Sequence, residues 1–218
     1  SMWLIPRMEE FQRDNPGIDI RIDASDVQVD LETSDVDLAL RYAMPAGATQ
    51  GGIRLFGEQL AVVASPWLLK SGKPLRTPAD VAQFTLIEAG DAHRTHYLEY
   101  LSWRRWFDTR DLTKLQPQRW LYFNYAHQIV QAALAGQGLA LARMPLIADA
   151  LAAGDLVEVL PGHRIDSPLA YWLMVGPRSA QRPEIKAFCA WLQVQAEATR
   201  QAIGDVPDPD LNDNLDGS

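Results

Sequence analysis

Hydrophobic positions recur along the chain with the spacing of helices and strands in turn. Apolar side chains at Leu4, Met8 and Phe11 form one face of a helix that we expect over residues 3–14. Residues 18–22 alternate strictly between apolar and polar side chains, which is typical of a strand. The further helices predicted are 67–69, 97–107, 125–135, 145–152 and 183–199, and the further strands are 36–40, 53–64, 84–87, 121–123, 139–142, 156–160 and 169–175. Strands that alternate with helices in this order predict an α/β fold with largely parallel sheets.

The composition is that of an ordinary globular domain, and its acidity is concentrated at one end. The chain has 218 residues, of which 47% are hydrophobic, and a formal net charge of −8. Residues 204–218 hold five Asp and no Lys or Arg, so we expect a disordered acidic tail there. Without those five charges, residues 1–203 carry only −3. Such a surface excludes direct nucleic-acid binding by this chain through phosphate neutralisation, which requires a basic patch.

Targeting signals and cysteine use favour a cytoplasmic location. No apolar run is long enough to span a membrane, and the N-terminus lacks the basic and apolar regions of a secretory signal. The single cysteine, Cys189, cannot form an intramolecular disulfide.

No group of residues has the spacing of a catalytic centre, so we expect no enzyme, no cofactor and no metal site. Gly136-Gln137-Gly138 follows a helix and precedes a strand, which favours a helix C-cap over a dinucleotide-binding loop. His93 and His96 lack a third ligand at a suitable spacing, so a solvated loop is favoured over a metal site. His127 is expected at the surface, and Cys189, between apolar side chains, as an inert buried thiol.

Polar helix N-termini that follow strands are the one feature that favours a ligand. They are Ser65-Pro66, Asn124-Tyr125 and Arg143-Met144. Such ends present unpaired N–H groups and the positive end of the helix dipole, and ligands of open parallel sheets bind beyond the carboxyl ends of the strands. The pattern suits a small anionic or zwitterionic molecule, although every α/β fold has such caps and a purely structural role stays open.

Six short motifs occur in an order that is shared with a known family. They are Trp3-Leu4-Ile5-Pro6-Arg7 with the later Asn15-Pro16, then Val36-Asp37-Leu38-Ala39-Leu40-Arg41-Tyr42, the strand 60–66 ending in Ala-Ser-Pro, the segment 120–141 ending in Gly-x-Gly-x-Ala-Leu, the run 152–157 and Phe188-x-x-Trp191-Leu192. Together they resemble the effector-binding domain of LysR-type transcriptional regulators over residues 3–195. The first two motifs are similar to those of the subgroup typified by regulators of glycine cleavage and of β-lactamase expression.

This resemblance implies a two-lobed fold similar to type II periplasmic binding proteins, with two crossover strands and a ligand cleft. Lobe I would comprise residues 1–61 and 170–203, and lobe II residues 62–169, with crossovers near 60–64 and 169–173. The effector-binding residues that it implies are Arg41, Tyr42, Ser65, Pro66, Asn124, Tyr125 and Met144.

The same resemblance implies the effector-sensing regulatory domain of a bacterial transcription factor. A small-molecule effector would control DNA binding by an N-terminal helix-turn-helix, a homodimer would form through lobe I, and RNA polymerase is a further candidate partner. The chain would contact DNA only through that helix-turn-helix and would have no membrane partner. Two alternatives stay open, a periplasmic solute-binding protein of a transport system and an enzyme on an α/β scaffold.

One family element has no counterpart here. The family's first strand precedes the helix at residues 3–14 in the lobe I sheet, and Ser1-Met2 leaves no room for it. Either that strand lies upstream or another segment takes its place, and any ligand contacts that it makes are missing from the residues named above.

Overall fold

The chain divides into two compact units that two long strands share. The structure is a computed structural model that describes residues 2–24, 28–45, 51–90 and 96–205. Unit 1 comprises Ser1–Gly57 and Leu169–Ser218, and unit 2 comprises Glu58–Pro168. In chain order the elements are a 3-10 turn (Ile5–Arg7), α1 (Met8–Asp14), β1 (Leu38–Ala43), β2 (Ile53–Ala64), α2 (Pro66–Leu69), a 3-10 turn (Pro78–Gln83), β3 (Thr85–Ala89), a 3-10 turn (His96–Leu101), α3 (Trp103–Asp108), β4 (Arg119–Phe123), α4 (Ala126–Leu134), β5 (Leu139–Arg143), α5 (Met144–Ala153), β6 (Val157–Glu158), β7 (Ile165–Val175) and α6 (Pro183–Ile203).

In unit 1, aromatic side chains join the N-terminal helix to the C-terminal one. The ring of Phe11 meets Phe188 edge to face, with centroids 5.2 Å apart, and lies 5.2 Å from Trp191. The indole N–H of Trp3 donates a 2.8 Å hydrogen bond to Thr199 Oγ1, so its polar end is satisfied inside the core. Strand β1 pairs with β7 in antiparallel register. These contacts pack the N-terminal residues against α6 and pair β1 with β7.

The acidic residue that follows α6 is held in place. Gly204 ends α6 in the left-handed conformation, and the carboxylate of Asp205 accepts hydrogen bonds from Arg54 and from the Gly57 N–H. We expected both residues in the tail; the remainder of that segment, 206–218, lies outside the described residues.

In unit 2, the sheet is mixed rather than largely parallel. Strand β3 pairs in parallel with both β4 and β5, whereas β2 pairs antiparallel with β5 and with β6. A strand that enters from the other unit runs against its neighbours, which the alternation of strands and helices cannot reveal. The predicted α/β class is nevertheless confirmed.

The core of unit 2 packs the aromatic helix α3 against the sheet. Trp103 and Trp106 are fully buried, and they contact apolar side chains of β2, β3 and β5. Each indole N–H donates to a backbone carbonyl, that of Ile87 at 2.9 Å and that of His163 at 2.8 Å. Burial of this much aromatic surface with both N–H groups paired stabilises α3 although it has only six residues.

Two predicted elements differ from the structure. Residues 18–22 form no strand, because no described strand pairs with them, and Ile22 is exposed. The helix predicted over 97–107 is divided at Ser102, whose Oγ accepts the Arg105 N–H at 3.2 Å and caps α3. An alternating pattern predicts a strand only where a neighbour supplies hydrogen bonds, and a serine inside a helical pattern can start a new helix.

Candidate functional site

Three parallel strands of unit 2 end at one edge of the sheet. Because β3 is parallel to β4 and β5, the ends of all three point the same way. We call this the carboxyl edge, and it carries Glu88, Asn124, Tyr125, Arg143 and Met144. In open α/β sheets, ligands bind outside the carboxyl ends of the strands. The edge is therefore the candidate site of this unit.

The structure does not bring Ser65 and Pro66 to that edge. In the antiparallel pair of β2 with β5, Leu60 lies opposite Arg143 and Val63 opposite Ala140, so β2 ends where β5 begins. A Cβ on Gly136, just before β5, would lie 3.1 Å from Ser65 Oγ. The two residues thus lie at the opposite edge from Asn124, Tyr125 and Met144. The prediction grouped them because it took β2 as parallel to its neighbours.

Ser65 and Pro66 start a short helix. The Ser65 hydroxyl is buried and accepts the Leu68 N–H at 3.3 Å, as an N-cap does. With Trp67, Lys70 and residues at the ends of α4 and α5, they line an open depression of about 340 Å³. The Lys70 ammonium lies 4.7 Å from the centre of the Trp67 ring, within cation–π range.

Asn124 and Tyr125 lie exposed at the start of α4. The helix begins one residue later than predicted, because Tyr125 is its N-cap and the Gln128 side chain accepts the Tyr125 N–H at 3.2 Å. The ring of Tyr125 is 57% exposed and stacks on His127 at 5.6 Å. This helix end offers N–H groups, an amide and an aromatic face to a ligand.

At the end of β5, an arginine takes the place that we predicted for Met144. The Met144 side chain is only 4% exposed, so it packs inward at the start of α5. Arg143, the residue before it, forms an ion pair with Glu58, with 3.0 Å between Nε and Oε2. The side chain of Glu58 is fully buried and that of Arg143 is 16% exposed. The pair fixes the guanidinium at the carboxyl edge.

Glu88 and Tyr122 occupy opposed register positions at the ends of β3 and β4. The Glu88 carboxylate accepts the Trp103 N–H at 2.8 Å. Burial raises the pKa of Glu88, an effect that the hydrogen bond from Trp103 opposes but does not cancel. Burial and the charge of Glu88 together raise the pKa of Tyr122. Sequence reasoning named the Arg143-Met144 helix start but missed Glu58 and Glu88, although both glutamates interrupt apolar strand sequences.

In unit 1, the two predicted site residues are neighbours on β1. The Arg41 guanidinium donates to the Val29 carbonyl at 2.6 Å. Tyr42 lies against Tyr171, with ring centroids 4.9 Å apart, and lines an apolar cavity of about 110 Å³ with Trp3 and Phe56. Both side chains are half-buried.

The described residues contain no group of three or more His, Cys, Asp or Glu that could hold a metal ion. His93 lies outside them, and His127 is exposed. Burial raises the pKa of the half-buried Cys189 thiol, which opposes formation of a reactive thiolate. None of the described helices combines the length and the apolar character needed to cross a membrane.

The chain has a mixed sheet with helices, and two long strands run through both of its units. This architecture, with a polar carboxyl edge in unit 2, defines the class of ligand-binding domains with the type II periplasmic-binding-protein-like fold. The family model described as "LysR substrate binding domain" matches residues 1–197. The chain belongs to this family.

Relatives and solved structures agree with this assignment. The chain is 34% identical over 199 residues to the glycine cleavage system transcriptional activator of Escherichia coli (strain K12), which is 91% of this chain and 62% of that protein. It is 29% identical to the transcriptional activator AmpR of Pseudomonas aeruginosa, over 87% of this chain and 60% of the relative. The effector domain of Pseudomonas aeruginosa AmpR superposes with a TM-score of 0.67 at 27% identity, covering 92% of each chain. The chain therefore spans less than two thirds of the length of these curated relatives.

Proposed function

We propose that this chain is the effector-sensing part of a bacterial LysR-type regulator, and that effector binding controls DNA binding by a helix-turn-helix domain. The observation that carries the proposal is the family match over residues 1–197, together with relatives named as transcriptional regulators. A small anionic or zwitterionic effector would bind at the carboxyl edge. The chain itself would act without catalysis, in the cytoplasm. DNA would be reached through the helix-turn-helix, and RNA polymerase is a further candidate partner.

The proposed effector contacts are fewer than the sequence suggested. Asn124 and Tyr125 present an amide, an aromatic face and helix N–H groups at the carboxyl edge. Arg41 and Tyr42 stay candidates for contacts from unit 1. Met144 would act by positioning α5, because its side chain is buried. Ser65 and Pro66 are left out, since they lie at the opposite edge of the unit 2 sheet.

A thermal-shift screen of small carboxylic acids and amino acids tests this proposal. We expect at least one compound to raise the melting temperature of the parent chain. The shift should be lost in Asn124→Ala and Tyr125→Ala but kept in Gln131→Ala, a control on the exposed side of the same helix. A compound that stabilises all four proteins equally would refute the assignment of the site.

We also propose a homodimer through unit 1, the unit that corresponds to lobe I. The support is that Ile5 and Val194, on the N-terminal turn and on α6, are 56% and 65% exposed although large and apolar. Light scattering should show that Ile5→Asp shifts the chain toward monomer. Trp67→Asp, a similar change at an exposed position of unit 2, should leave the assembly unchanged.

The alternative of a periplasmic solute-binding protein has no support from these relatives. Both the glycine cleavage activator and AmpR are named as transcriptional activators, and neither name is that of a transport protein.

A further inference from the structure

Glu88 is a half-buried carboxylate at the end of an apolar strand. It follows Leu86 and Ile87, which are buried in the core of unit 2. An ionised carboxylate offers about four acceptor positions, and one of them is filled by the Trp103 N–H at 2.8 Å. None of the ion pairs formed among the described residues involves Glu88. Its negative charge therefore has no cationic partner within the described part of the fold.

The fold does not need that charge. The hydrogen bond to Trp103 satisfies one N–H group in the first turn of α3, and a neutral glutamine could accept it equally well. Burying a carboxylate without a counter-charge costs free energy, and this cost is the reason that the pKa of Glu88 is raised. A charge that costs stability and has no cationic partner among the described residues points to a role in binding.

The surroundings of Glu88 are those of the proposed effector site. Tyr122 lies opposite it in the β3–β4 register. A Cβ on Gly90, two residues further on, would lie 3.3 Å from the Tyr122 Cβ and 3.9 Å from Asn124 Oδ1. Gly90 therefore lies directly beside these two side chains. Glu88, Tyr122 and Asn124 thus line one stretch of the carboxyl edge.

On the basis of the proposed function, we propose that Glu88 determines effector specificity by pairing with a positively charged nitrogen, an ammonium or a guanidinium. The effector is then zwitterionic rather than purely anionic. Its anionic group binds elsewhere at the edge, where the N-terminus of α4 supplies N–H groups and positive potential. The effector nitrogen donates hydrogen bonds to the acceptor positions of the Glu88 carboxylate that the Trp103 N–H does not fill.

Matched pairs of amino acids and hydroxy acids test this proposal. Alanine and lactate, aspartate and malate, and phenylalanine and phenyllactate each share a carbon skeleton and differ in an ammonium or hydroxyl group. Titration calorimetry would measure each pair on the parent chain, on Glu88→Gln and on the control Asp108→Asn. The control removes the same charge from an exposed position of α3.

We expect the parent to bind at least one amino acid about tenfold or more tightly than its hydroxy acid, since a hydrogen bond between charged groups has that strength. The ratio should fall to about one in Glu88→Gln and persist in Asp108→Asn. The Trp103 amide resonance should stay protected in Glu88→Gln, which shows that the fold is kept. If hydroxy acids bind as well as amino acids, or if Glu88→Gln keeps the preference, the role of Glu88 is refuted while the proposed function stands. If no amino or hydroxy acid binds the parent, this proposal fails together with the proposed site.

Discussion

Gly138 lies at a close approach between β5 and β3, and its replacement by alanine should be severely destabilising. It directly precedes β5 and faces the start of β3. A Cβ at this position would lie 2.5 Å from the Thr85 carbonyl oxygen and 3.2 Å from Ile87 Cγ1. Favourable contacts between heavy atoms begin at about 3.5 Å, so the strands would have to separate by about 1 Å.

The size of the effect follows from what the added atom meets. The nearest atom belongs to the backbone of a buried strand and cannot rotate away. Overpacking of a well-packed core costs about 1–3 kcal/mol, and we expect Gly138→Ala at the upper end, about 3 kcal/mol of the free energy of unfolding. The displaced β5 also carries Arg143, so the carboxyl edge should be disturbed as well.

Two other glycines provide matched controls. Gly154 has φ +77° and nothing within 4 Å of a Cβ, so Gly154→Ala should cost only the strain of the left-handed conformation, about 1–2 kcal/mol. Gly17 has open space and no positive φ, so Gly17→Ala should be neutral or stabilising by about 0.5 kcal/mol. Urea unfolding followed by tryptophan fluorescence measures all three. A Gly138→Ala variant that is as stable as Gly154→Ala would refute this explanation.

Three further changes have defined outcomes. Glu58→Gln breaks the buried pair with Arg143 and should lower the free energy of unfolding by about 2–4 kcal/mol. We expect less than the about 5 kcal/mol that a fully buried pair can cost, because the arginine reaches solvent. A loss below about 1 kcal/mol in urea unfolding would contradict this prediction. Ser65→Ala removes the cap of α2 and should cost about 1 kcal/mol without affecting effector affinity in calorimetry, whereas reduced affinity would return Ser65 to the site. Burial raises the pKa of Asp205, but hydrogen bonds from Arg54 and a backbone N–H outweigh that effect and hold it below its ordinary value. A carboxylate with a lowered folded pKa stabilises the fold above its unfolded pKa, so Asp205→Asn should be less stable than the parent at neutral pH. That difference should vanish as the pH falls through the folded pKa, and a difference that persists in acid unfolding curves would exclude the ionic explanation.

Local patterns predicted most elements of the fold. The helices α4 and α6 have apolar residues at helical spacing and clear ends, and both formed close to their predicted bounds. The short motifs also placed the chain in its family, because their order over residues 3–195 is a property of the whole domain. The local sequence is sufficient to predict an element when its own apolar pattern and its capping residues stabilise it.

Strand direction was the part that local patterns could not provide. The sequence 60–66 predicts a strand followed by a capped helix, and both exist. Its antiparallel pairing with β5 depends on contacts distant in sequence, and this pairing separates Ser65 from Asn124. The same limit applies to residues 18–22, whose pattern is that of a strand but which have no described partner strand.

The charged residues of the site were missed for a related reason. Glu58 and Glu88 interrupt apolar strands, and sequence alone does not say whether such a residue meets a cation or solvent. The structure shows that Glu58 pairs with Arg143, whereas the Glu88 carboxylate accepts a backbone N–H and forms no ion pair with another described residue.

The central claim, that this chain senses an effector for a LysR-type regulator, is tested most directly in a chimaeric regulator. The chain would replace the matching region of the Escherichia coli glycine cleavage activator, which keeps the part of that protein that it does not match. A reporter under a promoter of that activator would be measured with and without a compound found in the thermal-shift screen. We expect the compound to change reporter expression in the parent chimaera and not in Asn124→Ala. A compound that binds the chain tightly and leaves reporter expression unchanged in a folded, DNA-bound chimaera would contradict the claim.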